Sequence, residues 1–213
     1  MINLDPFYPI VHDTNWLARL LARRIGLVQL RIKNEPRGVV QGEIKRAVRL
    51  CAVHRCQLVI NDYWREAIDL GANFVHLGQQ DLAAANLRAI RAANIKIGVS
   101  THNHAELERA LAAEADYVAL GPIYATTLKV MPWGPQGLPR IAEWRSLINC
   151  PLVAIGGITA QRAPVVLAAG ADSVAVITDI VTSEDPEQRT QNWLSATSRC
   201  PNFSTERPQG NGA

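Results

Sequence analysis

The chain has 213 residues, which suits one large core better than two. Its 48% hydrophobic residues fall in short runs, none near the ~20 that cross a bilayer, which excludes a helical membrane protein. A formal charge of +3 comes from basic residues on amphipathic segments without aromatic interleaving, which argues against a nucleic-acid surface and suits attraction of small phosphorylated ligands.

A first strand is expected at Phe7–Val11. The residues before it include Asp5 and lack a basic start followed by a long apolar stretch, so no secretory signal is readable and the cytoplasm is the expected compartment. A helix over Asn15–Arg24 places Trp16, Leu17, Leu20 and Leu21 on one face, and Gly26 marks its end before a strand at Leu27–Ile32. Val39–Val53 repeats the pattern with Val40, Ile44, Ala47, Val48 and Cys51. Strand Gln57–Ile60, helix Trp64–Leu70, strand Phe74–Leu77 and helix Leu82–Ala93 follow, the helices closed at Gly71 and Asn94. The alternation continues through strand Lys96–Val99, helix His104–Ala113, strand Tyr117–Leu120, helix Pro139–Leu147 and strand Leu152–Ile155. Helix Gln161–Ala169 ends at Gly170, before strand Ser173–Ile177 and helix Pro186–Leu194.

Eight strands alternating with helices predict a (β/α)8 TIM barrel as a single domain over residues 1–194. Residues 195–213 are polar, rich in Pro and Gly, and are expected to be a disordered tail outside it. The connection from Gly121 to Gly137 is long for a barrel loop and is expected to be functional. Of the four cysteines, Cys51 and Cys56 are spaced on the predicted helix as neither a zinc knuckle nor a redox pair, and with Cys150 and Cys200 they are expected to be reduced thiols.

Chemistry in such barrels sits at the carboxyl ends of the strands, where this sequence concentrates its polar residues and glycines. Gln29, Arg31 and Lys33 share a parity, so two cations face one small space, where a diphosphate would supply matching charge. The alternative is that Lys33 emerges into solvent while Arg31 pairs with a barrel carboxylate. Asp62 and Asp81 end adjacent strands and offer hard oxygens suited to Mg²⁺, although Asp81 could equally be the N-cap before Leu82. Gly156 and Gly157, with Thr159 beyond them and Thr178 on the next strand, suit a monophosphate held by backbone N–H groups. His76, His102 and His104 could be drawn as a transition-metal site, but His104 should face solvent and His76 suits a hydrogen-bonded place in the barrel. No Ser/His/Asp or Cys/His arrangement argues for covalent catalysis.

The segments QLRIK at Gln29–Lys33, NDYW at Asn61–Trp64, VHLGQQDL at Val75–Leu82, GVSTH at Gly98–His102 and AIGGI at Ala154–Ile158 together resemble the thiamine phosphate synthase family, from about Tyr8 to Leu194. The resemblance implies that Gln29, Arg31, Lys33, Asn61, Ser100 and Lys129 hold a pyrimidine diphosphate, and that Asp62 and Asp81 hold Mg²⁺. It also implies that Thr126, Gly157 and the Ile177–Thr178 backbone cradle a thiazole phosphate. The catalytic group would be Arg31, Lys33, Ser100 and Lys129, stabilising charge on departing diphosphate while the thiazole nitrogen attacks the pyrimidine methylene. The family pattern Pro-Thr-x-Thr-Lys is replaced here by Ala125, Thr126, Thr127, Leu128 and Lys129, which removes a proline and a hydroxyl, and Thr178 stands where serine is usual. Partners would be the two small substrates, with no nucleic acid and no membrane, and a homo-oligomer stays open. The rival readings are a thiazole-phosphate tautomerase on the same barrel and a barrel that binds phosphorylated ligands without turnover.

Overall fold

Strands β1 (Phe7–Val11), β2 (Leu27–Leu30), β3 (Gln57–Asn61), β4 (Phe74–Leu77), β5 (Lys96–Thr101), β6 (Tyr117–Leu120), β7 (Leu152–Ile155) and β8 (Ser173–Val176) pair in parallel, each with the next. β8 returns to β1 and closes the barrel. The computed structural model describes residues 2–126 and 133–198. The helices that cover the strands are α1 (Thr14–Leu21), α2 (Arg37–His54), α3 (Trp64–Leu70), α4 (Gln79–Ala84), α5 (Leu87–Ala92), α6 (His104–Ala112), α7 (Gly137–Leu147), α8 (Ala163–Ala168), α9 (Thr178–Val181) and α10 (Pro186–Thr197).

Alternation of side chains along each strand divides the apolar residues into two sets. Phe7, Val28, Leu30, Leu58, Ile60, Val75, Leu77, Ile97, Val99, Val118 and Leu120 pack outward against Leu17, Leu20, Val40, Ile44, Ile90, Leu107, Trp144 and Trp193 of the helices. Tyr8, Ile10, Leu27, Val59, Phe74, Tyr117, Ala119, Val153 and Ala175 fill the lumen, so the barrel is packed and not a pore. Burying a side chain of Leu, Ile or Val size contributes about 1.5–3 kcal/mol, and this double core outweighs any single surface contact. No helix among the described residues is long and apolar enough to cross a membrane.

The differences from the sequence reading have local causes. Leu82–Ala93 is not one helix: Ala85 is extended, and the Asn86 side chain accepts the Ala89 N–H, starting a second helix. The C-cap of α1 is Ala22 and the left-handed residue beyond it is Arg24, at φ +58°, not Gly26, whereas Gly71, Asn94 and Gly170 do take positive φ. Gly26 is needed for space, because a Cβ there would collide with the Asp5 carboxylate. α2 stops at His54, so Cys56 lies beyond the helix; Cys51 and Cys56 are buried and Cys150 partly so, all as free thiols. α10 runs to Thr197, which is buried and gives its hydroxyl to the Trp193 carbonyl at 2.9 Å, so the last helix extends past residue 194. Residues 199–213, including Cys200, lie outside the described residues.

Candidate active site

The lumen becomes polar one layer above its apolar floor. Two residues on from Leu27, Val59 and Phe74 along the strands come Gln29, Asn61 and His76, all buried, and Ser100 follows Gly98 in the same way. Register sets Asn61 beside His76, while Gln29 pairs with Val59, His76 with Gly98 and Ser100 with Ala119, so the polar residues climb stepwise around the barrel. The corresponding positions on β6 to β8 are Ala119, Ile155 and Ile177. The mouth is therefore polar on the β2 to β5 side and apolar on the other.

On the polar side, Arg31 follows β2 with its N–H bonded to the Val11 carbonyl at 2.8 Å, so the strand geometry carries one residue past the end of β2. Arg31 forms no ion pair among the described residues, and with Lys33, Glu35, His12 and Glu43 it lines a rim cavity of about 380 Å³. Lys33 emerges exposed at the rim, and its Nζ forms an ion pair with Asp62. Asp62 sits at φ +65°, a left-handed turn that aspartate tolerates better than most residues, and its N–H bonds the His76 carbonyl at 2.9 Å.

Asp81 is not an N-cap. It is the third residue of α4, whose N-cap is Gly78, and a Cβ on Gly78 would lie 3.2 Å from the Asp81 Oδ2. Burial and the neighbouring negative charge of Asp62 hold the Asp81 carboxyl above its usual range, while Lys33 opposes them. Two carboxylates drawn together in this way are a hard-oxygen donor pair. Among the described residues no group of three or more His, Cys, Asp and Glu is arranged to hold a metal, so an ion here would need further ligands from water or phosphate.

The histidines separate. His76 is buried between Tyr117 Oη and Ser100 Oγ, each 2.8 Å from a ring nitrogen, and burial lowers its pKa to about 4. His102 bonds Glu106 at 2.7 Å and stacks on Trp133 with ring centres 4.2 Å apart, while the exposed His104 meets Glu143. Ser100 is braced from behind by Gln79, whose Nε2 donates to the Ser100 carbonyl at 2.7 Å. The long loop is closed at its base, Gln136 and Gly137 donating their N–H groups to the Pro122 and Ile123 carbonyls. Thr127, Leu128 and Lys129 lie outside the described residues.

Across the mouth, a second cavity of about 260 Å³ lies between the β7 turn and α9, lined by Thr126, Gly156, Gly157, Thr159, Ile177 and Thr178, among others. Gly157 has φ +64°, and a Cβ there would meet the Tyr124 Cβ at 2.8 Å as well as the Ala125 carbonyl oxygen. Ile177 is the N-cap of α9 and Thr178 its first residue, so the first N–H groups of the helix have no intrahelical partner. Asp179 also lines this cavity, but Trp193 and the Ala160 N–H take its Oδ2 and Arg189 lies 3.6 Å from its Oδ1, which compensates its charge. The short helix α9 was missed in the sequence because Thr178–Val181 is a single turn without a periodic pattern. Tyr8 and Tyr117 were missed as polar residues because each reads as an ordinary strand aromatic.

Fold and site define a (β/α)8 barrel with an acidic and cationic rim on one side and a backbone-lined cavity on the other. The sequence matches the thiamine monophosphate synthase family over residues 8–180, and the chain belongs to that family of enzymes. It is 59% identical over 197 residues to the thiamine-phosphate synthase of Rhizobium etli, covering 92% of this chain and 97% of the relative. With the thiamine-phosphate synthase of Salmonella paratyphi B it shares 44% identity over 189 residues, 88% of this chain and 90% of the relative. The solved thiamine phosphate pyrophosphorylase from Pyrococcus furiosus superposes with a TM-score of 0.77 at 26% identity, over 91% of this chain and 96% of that one.

Proposed function

We propose that this chain joins a pyrimidine methyl diphosphate to a thiazole phosphate, giving thiamine phosphate and diphosphate. The observation that carries the reading is the meeting of Lys33, Asp62 and Asp81 on the rim at the strand ends that also carry buried Gln29 and Asn61 and half-buried Ser100. Gln29 and Asn61 would hold the pyrimidine; Arg31, Lys33 and Ser100, with Lys129 from the long loop, would hold the diphosphate. Thr126, Gly157, Ile177 and Thr178 would hold the thiazole phosphate in the second cavity, through backbone N–H groups and the Thr178 hydroxyl.

The reaction needs no strong base. The methylene C–O bond breaks, its electron pair leaves with the diphosphate, and the thiazole nitrogen lone pair forms the new C–N bond to the electron-poor methylene. Arg31 and Lys33 would stabilise negative charge as it grows on the leaving oxygens, and Ser100 would donate a hydrogen bond to them. Mg²⁺ fits the Asp62 and Asp81 pair, which supplies two hard oxygens and excess negative charge, and when bound it would add positive charge at the diphosphate. The free thiols Cys51, Cys56 and Cys150 suit a reducing, cytoplasmic setting.

A pyrimidine diphosphate carrying an electron-withdrawing ring substituent tests the bond order of events. It should turn over much more slowly than the parent substrate while binding similarly, because the developing cation is destabilised. Equal turnover would point to direct displacement by the thiazole nitrogen.

A further inference from the structure

Five buried or half-buried side chains from five strands form one continuous hydrogen-bonded chain beneath the mouth. Gln29 Nε2 donates to Tyr8 Oη at 2.9 Å, Tyr8 Oη lies 3.0 Å from Tyr117 Oη, Tyr117 Oη lies 2.8 Å from His76 Nδ1, and His76 Nε2 lies 2.8 Å from Ser100 Oγ. Its two ends are residues that the proposed function gives to the pyrimidine diphosphate; its three middle members have no part in that reading. We infer that the chain runs in one direction, from Gln29 to Ser100, and that Tyr8, Tyr117 and His76 are positioning residues that reserve the Ser100 hydroxyl hydrogen for the substrate. This rests on the reading of Ser100 as a diphosphate ligand.

The direction follows from counting hydrogens. An amide nitrogen only donates, so Tyr8 Oη accepts from Gln29 and must place its own single hydrogen elsewhere. Tyr117 Oη is the partner left to it among the described residues. Tyr117 then accepts from Tyr8 and gives its hydrogen to His76 Nδ1, so that nitrogen is bare and the ring hydrogen sits on Nε2. Nε2–H donates to Ser100 Oγ, and the serine, with its acceptor role filled, keeps its hydrogen for a group above it. The reverse direction would press the Tyr8 hydrogen against the Gln29 NH₂ group and leave a buried donor without an acceptor.

Packing holds the chain in register. Tyr117 stacks on His76 with ring centres 5.6 Å apart and meets Phe74 at 5.8 Å and Tyr8 edge-on at 6.2 Å. Gly98 leaves room for its ring, since a Cβ there would run into the phenol. Burial keeps both phenols protonated, as this direction requires. A serine fixed as a donor favours an anion over a neutral group, and each bond upstream polarises the next, so the donor is strengthened as charge develops on the leaving oxygen.

Long-range ¹H–¹⁵N correlation on histidine-labelled, substrate-free protein at neutral pH, with His76 assigned by difference from His76→Gln, reads the direction. The expected result is a single Nε2–H tautomer; an Nδ1–H tautomer or a doubly protonated ring would overturn the inference. A double-mutant cycle reads its consequence. Ser100→Ala should lower kcat by about 10²–10³-fold, Tyr117→Phe by part of that, and the pair no further than Ser100→Ala alone. Independent losses that multiply would show that Tyr117 does not act through Ser100. If Tyr117→Phe fails to fold, the tautomer of the parent protein still decides. Full activity in Ser100→Ala with the Nε2–H tautomer intact would instead sink the reading of Ser100 as a ligand.

Discussion

Lys33, beyond the end of β2, forms an ion pair with Asp62, beyond the end of β3, so a cation expected to hold the diphosphate rests on a carboxylate expected to hold the metal. The two halves of the rim site therefore compensate each other. Lys33 should oppose a divalent ion at the acidic pair until a diphosphate offers it another partner. For a pair this exposed the effect is worth about 1 kcal/mol, or roughly fivefold in affinity. Lys33→Met should bind Mn²⁺ more tightly than the parent in calorimetry without substrate, while its affinity for the pyrimidine diphosphate falls. Unchanged or weaker Mn²⁺ binding would show that Lys33 and the metal do not compete.

Asp62→Asn and Asp81→Asn should each abolish most Mg²⁺-dependent turnover and keep the barrel folded. Asparagine tolerates the positive φ at residue 62, where alanine would add strain, so the amide separates loss of charge from loss of the turn. Because Asp81→Asn removes a like-charge contact, its thermal unfolding should occur at the same temperature as in the parent or above it, whereas Asp62→Asn also gives up the Lys33 ion pair. Unaltered Mg²⁺ dependence in both variants would remove the carboxylate pair from the site.

Gly157→Ala should raise KM for the thiazole phosphate more than it lowers kcat, because its Cβ would enter the turn beside Tyr124 and Ala125 and shift the cavity wall. Inorganic phosphate titrated into both proteins provides a direct check, with weaker binding expected in the variant. A KM equal to that of the parent would mean that the phosphate lies elsewhere.

Acid should destabilise the fold in a window set by His76. Its folded pKa is lowered to about 4, below the unfolded value near 6.5, so the unfolded chain binds more protons in between and stability falls as the pH drops from about 6.5 to 4. The full difference is roughly 3 kcal/mol. Chemical denaturation at pH 7 and pH 4.5 should show a smaller loss in His76→Gln than in the parent, and identical losses would contradict the neutral buried ring.

How much of this could be read along the chain depends on whether a feature is local. The eight strands and the shared parity of Gln29 and Arg31 follow from period-2 alternation, and the structure continues that alternation as far as the Arg31 N–H bond to Val11. The carboxylate pair was readable as two residues at neighbouring strand ends, but the Lys33 contact was not, because it depends on the left-handed turn at Asp62. Tyr8, His76 and Tyr117 come from β1, β4 and β6 and meet only across the closed lumen, so no spacing in the sequence announces them. The break at Ala85 was legible in principle, since Asn86 is a strong N-cap residue, but the apolar pattern on both sides masked it.

The most direct measurement is the purified chain incubated with both substrates, following thiamine phosphate and diphosphate in chelator and after Mg²⁺ is restored. The account predicts the two products in equal amounts, lost in chelator and recovered with Mg²⁺. Binding of both substrates without product, or product formation indifferent to the metal, would contradict it.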